Sequence, residues 1–166
     1  MNKHKTVKMD AINKKILSIL HTQSNLTNQE LADIIALSPS ACFQRTKALK
    51  EAGYFINFHT EMDLDRICEH VLAYVEFTLD SNTALGRKAF EQEIESVPEF
   101  MDCVRVGDDA DYISFTCFPN VKALNDACDQ LSSKQALGIK HIKIRMILER
   151  AKWCLGYPID KLKWIE

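Results

Sequence analysis

The sequence predicts an α+β chain in two parts, a helical first third and a longer stretch in which strands and helices alternate. Three observations predict it. Before residue 50, apolar residues recur at helical spacing. From residue 70 onward, β-branched and aromatic runs of strand length alternate with helical stretches. Charge also changes sign along the chain. Residues 1–60 carry eight Lys/Arg against four Asp/Glu, a net of +4, and residues 61–166 carry thirteen against nineteen, a net of −6. Such asymmetry suits a part that meets nucleic acid joined to a part that does something else.

The first helix is expected from about Met9 to His21. Ile12, Ile16, Leu17, Ile19 and Leu20 form its apolar stripe, and Asp10 sits where negative charge suits the helix dipole. Gln23 to Asn25 breaks the pattern. Thr27 to Glu30 reads as a capping box opening a second helix, with Leu31, Ile34 and Ile35 facing inward, that ends at Ala36-Leu37. A third helix opens at once: Ser38 is a good N-cap and Pro39 suits the first helical position. It runs to about Ala52, where Gly53 is placed to stop it in a left-handed cap. Cys42, Thr46 and Leu49 make its inner face, and Ser40, Gln44, Arg45, Lys47 and Lys50 its outer face.

Two short helices joined by a tight turn are the helix-turn-helix layout. The second helix of that unit enters the DNA major groove, where Arg and Gln read base edges by paired hydrogen bonds. Phe55 to Met62 reads as a short hairpin, which makes the unit a winged helix. Asn57 and His59 are then either phosphate neighbours or plain turn and edge residues.

Residues 70–150 alternate strand, helix, strand, strand, helix, strand. The strands are Val71–Leu79, Met101–Val106, Tyr112–Phe118 and the final run from Ile139 to Leu148. The helices are Ala84–Ser96, with Leu85, Phe90 and Ile94 on one side and Pro98 beyond its end, and Val121–Leu131. This βαββαβ order is the ferredoxin-like arrangement. The expected organisation is a winged helix-turn-helix over 1–62 (helix-turn-helix 28–47), a linker over 63–69, a ferredoxin-like domain over 70–152 and an extension over 153–166. The extension holds Trp153, Leu155, Tyr157, Ile159, Leu162, Trp164 and Ile165, too apolar for a free tail, and docking on a neighbouring subunit is expected.

Composition removes several function classes. With 46% apolar and 27% charged residues, the chain matches an ordinary soluble domain pair. No apolar run approaches the roughly 18–20 residues of a membrane helix, and the basic start has no apolar stretch behind it, so a cytoplasmic protein is expected. The six cysteines never approach a C-x-x-C spacing, so no metal is expected and core packing is their simplest role. No nucleophile–base set or nucleotide-cradling loop is present and the five histidines are scattered, so neither catalytic residues nor a cofactor are expected.

The residues Met9, Asp10, Asn13, Ile16 and Leu17, then Leu26, Thr27, Asn28, Glu30, Leu31 and Ala32, then Leu37-Ser38-Pro39-Ser40, Cys42, Arg45, Leu49 and Gly53 together closely resemble the Lrp/AsnC family of transcription factors. The resemblance runs to about Lys152. It implies DNA contact by Asn28, Ser38, Pro39, Ser40, Gln44, Arg45, Lys47 and Lys50. Gln44 stands where relatives often carry a basic residue, which exchanges a phosphate charge for amide hydrogen bonding. The resemblance also implies that the acidic turn after the second strand, Gly107, Asp108, Asp109, Asp111 and Tyr112, receives an amino-acid effector. The family pattern has Gly three residues before the Asp-Tyr pair; here Asp108 occupies that place and Gly107 precedes it. Read from composition alone, the same turn is simply a good former of acidic hairpins. Pairing of strands from two chains into a homodimer, and assembly to a tetramer or octamer, follow from the resemblance too. The function expected is a sequence-specific regulator binding double-stranded DNA under control of an amino acid. A nucleoid-like architectural protein, or a sensing oligomer without specific DNA targets, are the alternatives.

Overall fold

The computed structural model describes residues 7–57, 60, 62–80, 83–107, 109–152 and 156–165. They fall into two compact units, one drawn from residues up to 61 together with those from 152 on, the other from 62 to 151.

The first unit is built on α1 (Ala11–Thr22), α2 (Asn28–Ile35) and α3 (Pro39–Glu51). Each start is chemically marked. The Asn13 amide donates to the Asp10 carboxylate at 2.8 Å. Thr27 and Glu30 form the reciprocal capping box, the Glu30 amide donating to Thr27 Oγ1 and the Thr27 amide to Glu30 Oε2. The Ala41 amide donates to Ser38 Oγ. At the end of α3, Gly53 takes φ +78°, with the Tyr54 amide bonded to the Leu49 carbonyl at 3.1 Å and its own amide to the Lys50 carbonyl at 3.0 Å. These paired bonds satisfy carbonyls that a helix end otherwise leaves open. Ile16, Leu20, Leu31, Ile35, Cys42 and Leu49 close the core between the three helices.

Two expected segments, the hairpin and the C-terminal extension, are described only in part. Of the expected hairpin, Phe58, His59 and Glu61 lie outside the described residues, and the described ones between 55 and 62 carry no strand assignment. Phe55 packs on the helical core. The C-terminal extension, described over residues 156–165, touches α1 of its own chain. The Tyr157 ring stacks on His21 at 5.4 Å, its amide donates to His21 Nε2, and Lys14 Nζ lies 5.5 Å from the centre of the Trp164 ring. Gly156 has φ +103°, and a Cβ there would overlap the His21 imidazole. Trp153 and Leu155 lie outside the described residues.

The second unit is a four-stranded antiparallel sheet in the order β2-β3-β1-β4, from β1 (Val71–Leu79), β2 (Val104–Arg105), β3 (Tyr112–Phe118) and β4 (Ile139–Met146). α4 (Ala84–Glu95) and α5 (Val121–Ser133) supply Phe90, Ile94, Leu124 and Leu131 to the core against Ala73, Val75, Phe77 and Leu79. The β2 strand is shorter than expected. Asp102 accepts the Phe115 amide with its side chain at 2.8 Å, taking a bond that the strand ladder would use. Leu85 is 80% exposed rather than inward. It lies five residues before Phe90, about 140° away around the helix.

Candidate nucleic-acid interface and effector turn

Helical spacing places Ser40, Phe43, Gln44 and Lys47 on one side of α3, opposite the buried Cys42 and Leu49. Asn28 Nδ2, at the start of α2, donates to the Pro39 carbonyl at 2.8 Å. That bond sets the amide ends of α2 and α3 side by side, concentrating the positive ends of two helix dipoles where a phosphate would approach. Ser38 Oγ is 3.2 Å from Ser40 Oγ and also caps the helix. Lys47 pairs loosely with Glu51 at 3.8 Å, and Lys50 is exposed. Of the residues expected at DNA, Asn28, Ser38, Pro39, Ser40, Gln44, Lys47 and Lys50 are all exposed, and Asn28, Ser38 and Pro39 also brace the start of α3.

Arg45 differs from the outer-face expectation. Its Nη1 donates to Asp10 Oδ2 at 2.8 Å and to Asn13 Oδ1 at 3.0 Å. Asn13 is itself buried and donates from Nδ2 to the Lys8 carbonyl at 2.8 Å. Arg45 lies about 100° around the helix from Gln44, which turns it toward α1. The Asn13 amide and the Arg45 guanidinium hold the Asp10 carboxyl below its ordinary range. The Asp10–Asn13–Arg45 cluster thus ties α3 to the start of α1. In the sequence, Asp10 reads as a dipole partner and, with Asn13, as part of the family resemblance; the pairing of both with Arg45 spans more than thirty positions and leaves no local signal.

The acidic turn from 107 to 112, where an effector is expected, is anchored by two of its residues. Asp111 Oδ2 accepts the Leu79 amide at 2.8 Å, its amide donates to the Phe77 carbonyl, and its carbonyl accepts from the Val106 amide. Tyr112 is buried, and its hydroxyl donates to Glu91 Oε1 at 2.7 Å; burial and then that carboxylate push the phenol up to about 12. Gly107 and Asp109 are exposed, the Asp109 carbonyl accepting from Thr78 Oγ1, and Asp108 lies outside the described residues. Beside the turn is a hollow of about 380 Å³ lined by Glu76, Thr78, Asp109, Ala110, His141 and Lys143. Arg145 bonds Glu76 and holds its carboxyl low.

The sheet face away from α4 and α5 carries Leu72, Tyr74, Ile113, Phe115, Cys117 and Val104 as cross-strand neighbours. Tyr74 is 47% exposed and packs on Phe115 at 5.3 Å. Burial pushes the Cys103 and Cys128 thiols up to about 11, so neither is a thiolate near neutrality.

A helix-turn-helix with a solvent-facing reading helix, followed by an α/β unit with an acidic turn and a charged hollow, defines a DNA-binding protein with an appended sensor domain. Residues 9–56 match the winged helix-turn-helix DNA-binding family, and residues 72–153 match the Lrp/AsnC ligand binding domain. The chain belongs to the Lrp/AsnC family of transcriptional regulators. It is 31% identical over 107 residues to the transcriptional regulatory protein DoeX of Halomonas elongata, covering 64% of this chain and 68% of that one. It is 23% identical over 144 residues to the leucine-responsive regulatory protein of Escherichia coli, covering 87% of each. A Neisseria meningitidis transcriptional regulator solved as its L-Met complex superposes with a TM-score of 0.82 at 25% identity, covering 92% of this chain and 98% of that one. An AsnC family regulator from Agrobacterium tumefaciens gives 0.81 at 24% identity, covering 92% and 98%, and shares the fold. Among the described residues no helix is long and apolar enough to cross a membrane.

Proposed function

We propose that this regulator reads double-stranded DNA with α3 and adjusts that binding to an amino acid or a related small metabolite. The observation carrying the proposal is the α3 face, where Ser40, Gln44 and Lys47 stand solvent-facing above a turn braced by Asn28, Ser38 and Pro39. Lys47 and Lys50 supply phosphate contacts, Ser40 and Gln44 reach base edges, and Arg45 holds the helix in place from behind. Such work belongs in the cytoplasm, beside the chromosome, and calls for no catalysis.

The effector reading rests on the turn from Gly107 to Tyr112 and the hollow beside it. A free amino acid needs one anionic and one cationic partner. Asp109 and Glu76 stand on one side of the hollow, Lys143 and His141 on the other, and Asp111 and Tyr112 hold the turn in shape. That a similar regulator was solved with L-Met makes an α-amino acid the first class to test. A homodimer is proposed through the apolar sheet face around Tyr74 and Phe115, with further assembly of dimers to a tetramer or octamer. A twofold dimer places two α3 helices on half-sites about one helical turn, or a multiple of it, apart.

The test is affinity for the duplex upstream of the protein's own gene against random duplex, over a salt series. Preference for the upstream duplex by about a thousandfold, falling steeply with salt, supports a specific regulator. Equal affinity for both favours an architectural role, and no binding at low salt removes the reading.

A further inference from the structure

Phe43 was not among the residues that the sequence pointed to, yet it stands between Ser40 and Lys47 on the α3 face and is 53% exposed. Its ring borders a hollow of about 320 Å³ whose apolar lining comes from Leu20, Leu26 and Leu31, with Lys47 and Lys50 at its edge. A half-exposed phenylalanine therefore stands on a face that is otherwise polar and basic. Major-groove base edges offer hydrogen-bonding groups and a single apolar one, the C5-methyl of thymine.

We propose that Phe43 is a specificity-determining residue that seats a thymine methyl group in the major groove. The assignment rests on the reading of α3 as the DNA-contacting helix. Gln44 is its immediate neighbour and has the amide that pairs with adenine N6 and N7. Adjacent residues on one helix reach the same or adjoining base pairs, so the preferred half-site carries a thymine whose methyl meets Phe43 beside an adenine read by Gln44. The ring adds no phosphate contact, so it contributes to specificity and not to the salt dependence of binding.

The experiment uses the full chain and a duplex enriched from a random pool by that chain. Each thymine in turn is replaced by deoxyuridine, which deletes only the 5-methyl group, and affinity is read by fluorescence anisotropy. One thymine per half-site is expected to matter, its replacement weakening the wild-type protein about 3–10-fold. Phe43→Ala should bind the thymine and deoxyuridine duplexes equally, near the wild-type affinity for the latter and with an unchanged salt slope. Phe43→Leu should keep part of the discrimination. Circular dichroism melting checks that both variants remain folded. Wild-type binding that is indifferent to every replacement overturns the assignment while leaving DNA reading intact. So does a Phe43→Ala variant with full methyl sensitivity, and if its oligomer mass falls as well, the ring belongs to a contact between copies. Failure to bind any duplex at low salt overturns the DNA reading, and this assignment with it.

Discussion

Arg45, which reads as a DNA contact, also takes part in holding the fold together. A guanidinium facing Asp10 and Asn13 at 2.8 and 3.0 Å has two acceptors already in place. Asp10 is the titrating member of the cluster. Its folded-state pKa lies below the ordinary 3.8, so its contribution is present above that value and is lost as pH falls through the lower folded-state value. Asp10→Asn keeps a helix cap but removes the charge. Denaturant unfolding of this variant should show lower stability than wild type at neutral pH, the difference closing in acid. Thr46 makes the opposite case: its hydroxyl is buried and, among the described residues, has no hydrogen-bond partner. Thr46→Val removes an unsatisfied polar group at nearly constant volume and should stabilise the protein by about 1 kcal/mol in the same assay.

At the scale of elements, the turn between α2 and α3 decides how the reading helix is presented. Only Ala36 to Ser38 separate the helices, so the chain must reverse within that space. Ala36 does so at φ +57°, and the Leu37 amide closes back on the Ala32 carbonyl at 3.0 Å. The left-handed region costs an L-residue roughly 1–2 kcal/mol; glycine escapes that cost, and its greater freedom when unfolded cancels part of the gain. Ala36→Gly is therefore expected to raise stability by about 0.5–1 kcal/mol, seen as a higher melting temperature with unchanged DNA affinity. An equal or lower melting temperature would mean that the alanine side chain contributes more than the backbone conformation costs.

At the scale of the whole molecule, the chain leaves its first unit near residue 61, builds the sheet and returns at 152, so two covalent connections join the units. The returning segment stacks Tyr157 on His21 and places Trp164 by Lys14. Truncation after Lys152 should lower the melting temperature of the helical unit and leave the oligomer mass unchanged in light scattering. A fall in mass would show docking on a neighbour instead. The proposed dimer lies elsewhere. Phe115→Lys puts a charge into the apolar sheet face beside Tyr74 and should reduce the mass to that of a single chain; an unchanged mass would move the interface off that face.

What the sequence determined alone was local or periodic. The capping box at Thr27, the Ser38-Pro39 start, the Gly53 stop and the strand–helix order are written in neighbouring residues, because caps, turns and burial stripes act within a few positions of the chain. The family motifs add the DNA-binding and ligand-binding classes for the same reason, since they recur at constant spacing. Tertiary structure alone decided which way Arg45 turns, that Leu85 faces outward, that Asp102 interrupts a strand, and that the C-terminal segment covers α1. Arg45 meets Asp10 across 35 positions and Tyr157 meets His21 across 136. No periodicity records such pairings. They depend on which surfaces the packed helices leave exposed, and a carboxylate or imidazole left in reach then selects its partner.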